Sequence, residues 1–178
     1  LCDRLYNNIV EYTGFCMNLS NTNSGGWKES YGRKDLLGNS GTSTSPPVYS
    51  FMAALPSELR TVMKSVKKYT DNTGNSNSMS NAITATTDFM FLLAEFEVQG
   101  VRRFANIYEH GHQTWYDYYK AGNSKIKYRH NATGTAVWYW CRSPYYHNNT
   151  DFCFVSNVGD PSLASTHSSF GIAPCFCV

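Results

Sequence analysis

Glu109, His110 and His112 form an E-H-G-H run. In an extended segment the two imidazoles fall on one side, where a pair of ring nitrogens can hold a divalent metal. No third ligand follows at a suitable spacing, so the run reads as a polar surface loop and no metal is expected. Glu95 and Glu97 flank Phe96 like paired carboxylates for general acid–base work. Placed just before Val98, they are expected instead to cap a buried strand or to bond to Arg102 or Arg103. The six cysteines include no C-x-x-C pair, the usual spacing for structural zinc. Cys175 and Cys177 would share one side of a strand without bridging each other. Mostly free thiols are expected, with Cys2–Cys16 as one candidate local disulfide. P-loop, G-x-S-x-G and H-E-x-x-H patterns are absent.

The elements that must position any binding residues are short. Trp27 to Gly38 reads as a helix with glycine at its C-terminal end. Tyr49 to Leu55 suits a short helix, and a second starts at Pro56 and runs to about Met63, proline being tolerated in a first turn. Val66 to Tyr69 can pair as a strand. Residues 70–87 form a long polar excursion with a turn at Asn72-Thr73-Gly74, expected to be functional or mobile. Asp88 to Val98 is the most apolar stretch, read in its first half as buried strand, although periodicity alone leaves buried helix open. His112 to Lys120 reads as a Tyr-rich helix. Strands are expected near 125–128, 136–142, 152–156 and 171–178. Few helices early and strands late give an α+β class.

At 178 residues the chain fits one domain, 1–178, and with 42% hydrophobic residues it can bury a core. Its opening, Leu-Cys-Asp-Arg, lacks an initiator Met and a signal pattern, so a fragment of a longer protein is expected. No apolar run reaches 18 residues, so no membrane span is expected. A formal charge of +2 is too small to argue for nucleic acid, and the lysines from Lys64 to Lys68 read as a solvated face. Thirteen Tyr, ten Phe and four Trp are more informative. Aromatic rings supply rigid contact area, and Tyr and Trp add a polar tip.

Six segments carry a resemblance: MNLSNTNSGGW at 17–27, ALPSEL at 54–59, FLLAEFEV at 91–98, AGNSKIKY at 121–128, WCRSP at 140–144 and GIAP at 171–174. Together they resemble the variable proteins of diversity-generating retroelements from phage and gut bacteria. The resemblance implies a C-type-lectin-like fold, related to that of formylglycine-generating enzymes, with a small twisted sheet and long loops. It further implies a hypervariable C-terminal segment, here 138–178, that binds a ligand. Partner and place follow from the resemblance alone: a protein or glycan on a cell surface, bound by an adhesin or receptor-binding tip on a phage virion or bacterial exterior. Homo-oligomers are compatible with so aromatic a surface. The calcium-and-sugar motifs E-P-N and W-N-D of true C-type lectins are missing.

The resemblance makes a compositional prediction. Mutation aimed at the two adenines of an Asn codon yields fifteen residue types and excludes Lys, Gln, Glu, Met and Trp. All eight Lys, six Glu, two Gln, five Met and four Trp lie in residues 1–144, and none lies between Tyr145 and Val178. A plain low-charge β surface would also thin out Lys, Gln and Glu. The motif positions Trp138, Trp140, Arg142, Ser143, Pro144, Phe152, Val155, Gly159, Gly171, Ile172, Pro174 and Phe176 are expected to be frame. Phe152 and Phe154 around Cys153 read as a half-buried strand, and Gly159 as a turn needing positive φ. The candidate binding residues are Tyr145, Tyr146, His147, Asn148, Asn149, Asp151, Phe154, Ser156, Asn157, Val158, Asp160, Ser162, Leu163, Ser165, His167, Ser168 and Phe170. Two other readings stand beside this one: a fixed-sequence structural domain of a phage tail or surface protein, and a formylglycine-generating-type enzyme.

Overall fold

The computed structural model describes residues 14–129 and 132–178. The pairing expected for Cys2 lies outside the described residues. Short helices and several small antiparallel sheets make this an α+β fold. Helices α1 (Gly26–Glu29), α2 (Phe51–Ala54) and α3 (Ser57–Val62) precede an antiparallel ribbon of β1 (Val66–Asp71) and β2 (Ile83–Asp88). Then come β3 (Met90–Phe91), α4 (Glu95–Gln99), α5 (Asp117–Lys120) and a second ribbon of β4 (Lys127–Arg129) and β5 (Ala132–Val137). The three-stranded sheet joins β6 (Tyr139–Pro144), β7 (Asp151–Val155) and β8 (Pro161–Ser165), with β7 in the middle. Finally β9 (Cys175–Phe176) pairs with β3.

Side-chain period explains why the three-stranded sheet is the centre. Successive residues of a strand face opposite sides, and here both sides are covered. Trp140, Phe152 and Phe154 pack with Phe15, Met17, Trp27, Leu37 and Ile172. Tyr139, Cys141, Cys153 and Val155 pack with Val98, Ala105 and Tyr119. The expected half-buried β7 is therefore corrected: Phe152, Cys153, Phe154 and Val155 are all buried, because helix α4 and the 105–119 region cover the second face.

Other departures have local causes. The helix expected over 27–38 stops at Glu29, where the Ser30 hydroxyl donates to the Trp27 carbonyl and accepts from Arg33 N–H. Gly32 N–H then turns to Met17 O at 2.9 Å, and a π-helical turn, Gly32–Leu36, follows. The last part of the polar 70–87 excursion is strand β2, whose threonines suit a pleated surface. The Tyr-rich helix shrinks to Asp117–Lys120, because Asn106 caps a 3-10 turn at Ile107–His112 and Tyr116 N–H bonds to Glu97 O at 3.1 Å. The strand expected at 136–142 breaks at Trp138, and the one at 171–178 keeps only two residues past Pro174, which lacks a donor. The expected turn at Gly159 is present, with φ 93.

Candidate functional site

Arg142 and Ser143 of the W-x-R-S-P segment belong to a buried polar network. Arg142 is fully buried and meets Glu97 through two bonds, Nη1 to Oε2 at 2.5 Å and Nη2 to Oε1 at 2.9 Å. Its Nε donates to Thr70 Oγ1 at 2.8 Å and Nη1 also donates to the Leu92 carbonyl at 2.8 Å. Lys68 adds a second cation 3.5 Å from Glu97. Burial pushes the Glu97 carboxyl up, but the Arg142 charge and hydrogen bonds outweigh it and hold the group below the usual range. A planar guanidinium suits this fork, since it satisfies both carboxylate oxygens at once.

Next to this pair, Ser143 Oγ donates to Glu109 Oε2 at 2.6 Å and accepts from Glu95 N–H at 3.2 Å. Glu95 itself accepts the backbone N–H groups of Arg103, Phe104 and Ala105. Glu95 thus bonds to Arg103 as expected, through the backbone N–H and not the guanidinium, with the Arg102 charge nearby, while Glu97 pairs with Arg142. Glu109, fully buried, accepts from Asp71 N–H and Gln113 Nε2 as well. Burial raises its carboxyl from 4.5 to about 7, only partly offset by those donors.

That shift has a pH consequence. A carboxyl raised in the folded state favours folding below its unfolded value, and the advantage is lost as pH rises through the folded value. Stability is expected to fall from about pH 4.5 to about pH 7 through this group, and Glu109→Gln to flatten that limb in denaturant titrations across the range. An unchanged slope in the variant would remove Glu109 as its source.

On this frame the stretch from Tyr145 to Phe170 divides between the two ends of the sheet. Strand β7 has five residues, so its ends lie about 17 Å apart. At one end the β6–β7 loop carries Tyr145, Tyr146, His147, Asn148 and Asn149, with Asp151, Ser165, His167 and Ser168 beside it. Tyr145, Tyr146 and His147 pack ring against ring, and the Arg102 guanidinium lies 5.2 Å from the Tyr146 ring. Asn148 accepts from Thr150 N–H and Asp151 N–H and donates to Asp151 Oδ2, so Asn148 and Asp151 build the turn itself. Ser165 Oγ bonds to Asn21 Oδ1 and His167 Nδ1.

At the other end are Ser156, Asn157, Val158 and Asp160 of the β7–β8 turn, with Phe170. Ser162 and Leu163 lie along β8, half-buried, with Leu163 against the second core cluster. Two expectations change. Phe154 is only 7% exposed and belongs to the core, so it is removed from the binding face. Trp138, expected as frame, is 46% exposed and lines an open groove of about 220 Å³ with Asn157, Ser169, Phe170 and Arg129. Trp140, Arg142, Ser143, Pro144 and Gly171, expected as frame, are buried, and Pro174 is half-buried.

One frame residue was given no role of its own by the sequence, although it lies in the 17–27 segment that carries the resemblance. Asn23, fully buried, donates from Nδ2 to the carbonyls of Tyr145, Asn148 and Asp151 at 3.2, 2.9 and 2.9 Å, while its N–H bonds to Asn149 O. Gly74, at φ 67, lets its own turn come up against Asn23, where a Cβ would meet the Asn23 carbonyl at 2.1 Å.

His110 and His112 are exposed, His112 stacked on Tyr69 and His110 tilted on Phe96. Among the described residues no group of three or more His, Cys, Asp or Glu side chains could hold a metal ion, and no helix is long and apolar enough to cross a membrane. Cys141, Cys153, Cys175 and Cys177 are free thiols. A family model described as a domain of unknown function, DUF6273, matches residues 5–178, so the chain belongs to that family. No curated protein and no solved structure matches it.

Proposed function

We propose that this DUF6273 chain is a non-enzymatic binding protein whose C-terminal segment is a diversified ligand-binding face on a C-type-lectin-like scaffold. The observation that carries the reading is a separation of tasks between Pro144 and Gly171. The backbone there is tied to groups outside the stretch: Asn23 holds 145, 148, 149 and 151, Phe104 O accepts from Tyr146 N–H, and Phe15 pairs with Phe170. Side chains such as His147, Asn149, Val158 and Asp160 point to solvent and bear little of the fold. The same stretch lacks Lys, Gln, Glu, Met and Trp, the alphabet that adenine-directed mutation of Asn codons leaves. Such a face belongs on a phage virion or bacterial surface, where it would meet a cell-surface protein or glycan.

Two measurements test this. Sequencing the flanking DNA should reveal a reverse transcriptase gene and an imperfect repeat of the last hundred or so bases. Mismatches should fall at adenines in codons of the solvent-facing positions. A locus with neither favours a fixed structural domain of a phage tail. On the protein, His147→Ala, Asn149→Ala, Val158→Ala and Asp160→Ala should each shift stability by no more than about 0.5 kcal/mol in urea titrations. A loss of 2 kcal/mol or more at several of them would mean the segment is structural.

The formylglycine-generating alternative asks for reactive thiolates. Burial raises the Cys175 thiol to about 11, which keeps it protonated and poorly nucleophilic at neutral pH. Copper binding that disappears in Cys175→Ser and Cys177→Ser would nevertheless install that reading.

A further inference from the structure

Of the four tryptophans, Trp138 is the most exposed. Trp27 and Trp140 are buried, at 0% and 1% exposure, whereas Trp138 stands at 46%. Its exposure is not looseness. The indole Nε1–H donates to Asn157 Oδ1 at 3.1 Å. The ring lies 5.2 Å from Phe170, edge to face, and 5.8 Å from Phe154. The groove beside it also presents the Asn157 amide and the exposed Ser169. With Asn157 Oδ1 engaged by the indole, its Nδ2 makes no hydrogen bond among the described residues and can donate to a ligand.

We propose that Trp138 is a fixed stacking platform for one pyranose ring of a neutral glycan, with Asn157 and Ser169 bonding its hydroxyls. This rests on the reading of the C-terminal segment as a diversified face and narrows its ligand. Three physical points select a sugar. The groove is smaller than the sites that enclose drug-sized ligands, so it takes one ring and not a chain. It is also open, so an apolar side chain laid there would keep much of its surface in water and gain little. A pyranose needs one C–H face covered by an aromatic and leaves its remaining hydroxyls hydrated. Finally, the Trp codon contains no adenine, so adenine-directed mutation cannot alter Trp138 while Asn157 and Phe170 vary around it. A constant ring with changing neighbours keeps the ligand class and retunes which sugar fits.

The test is a printed array of neutral and acidic glycans probed with the intact chain. Saturation-transfer NMR on the methyl glycoside of the best-scoring terminal sugar then locates contact. Binding to at least one neutral glycan is expected, with a loss of tenfold or more in Trp138→Ala and a smaller loss in Trp138→Phe. Asn157→Asp keeps the acceptor for the indole and removes the amide donor, so it should weaken binding about tenfold with the thermal midpoint unchanged. It covers the case in which Trp138→Ala disturbs the Phe154–Phe170 packing. A blank array, exclusive binding of acidic glycans, or binding indifferent to Trp138→Phe and Asn157→Asp would each overturn the proposal. A blank array at a locus that carries the reverse transcriptase and repeat would overturn the sugar and leave the diversified face standing.

Discussion

Arg142→Ala is expected to lower the free energy of unfolding by about 3–5 kcal/mol, the range for removing one partner of a buried ion pair. The guanidinium is completely buried and joins three separate pieces of chain: Glu97 on α4, Thr70 on β1 and the Leu92 carbonyl after β3. Its loss leaves the Glu97 carboxylate without its main counter-charge and the Leu92 carbonyl without a donor. Lys68, 3.5 Å away, is too distant to restore the fork. Arg142→Lys should recover little, because an ammonium cannot reproduce the two parallel bonds to the carboxylate. Arg142→Met combined with Glu97→Leu should recover much of the loss, since a volume-matched apolar pair removes the uncompensated charge. Urea midpoints of the three variants check the ordering. If Arg142→Ala costs less than about 1 kcal/mol, the network is not what holds the sheet to α4.

How much of this was legible in the sequence depends on whether the cause was local. The turn at Gly159 was, because positive φ selects glycine. So were α2 and α3, whose starts carry Ser50 and Pro56. Strand β8 was not: Pro-Ser-Leu-Ala-Ser has no strand signature, and only pairing with β7 makes it one. The roles of Glu95 and Glu97 were half legible. Their burial follows from the apolar stretch they sit in and Arg103 was a near neighbour in sequence, but Arg142, 45 residues on, is a partner that spacing alone cannot supply. Trp138 shows the opposite error. Its match to a motif position placed it in the frame, yet the break between β5 and β6 turns it out to solvent.

The division of the candidate face follows from the same cause. As a linear run, residues 145–170 read as one surface. A three-stranded meander sends alternate turns to opposite ends, so the β6–β7 loop and the β7–β8 turn cannot grip one small ligand together. The Tyr145–Tyr146–His147 cluster and the Trp138 groove are therefore separate contacts. A single extended ligand has to bridge about 17 Å of sheet to use both.

The anchor of the first of these contacts gives the second large effect. Asn23→Asp is expected to destabilise the fold by about 3–4 kcal/mol, more than Asn23→Ala at about 2 kcal/mol, although Asp is nearly isosteric with Asn. The reason is polarity. Three carbonyl oxygens converge on the Asn23 amide nitrogen, at 2.9 to 3.2 Å. Alanine removes the donor and leaves those oxygens short of a partner, while a carboxylate in the same space sets a fourth oxygen, negatively charged, against them. A buried Asp in that position would take up a proton to escape the repulsion, so the Asn23→Asp deficit should shrink on acidification below about pH 5, where the Asn23→Ala deficit stays constant. Hydrogen exchange gives an independent reading: the amides of Tyr145 and Asp151, which bond to Asp151 O and Asn148 Oδ1, should exchange faster in both variants. Amides in the β1–β2 ribbon should keep their protection relative to global unfolding. Equal effects of Asp and Ala at all pH values would mean that the carbonyls do not face the amide nitrogen, and that the loop bearing Tyr145 to Asn149 is fixed by its own turn alone.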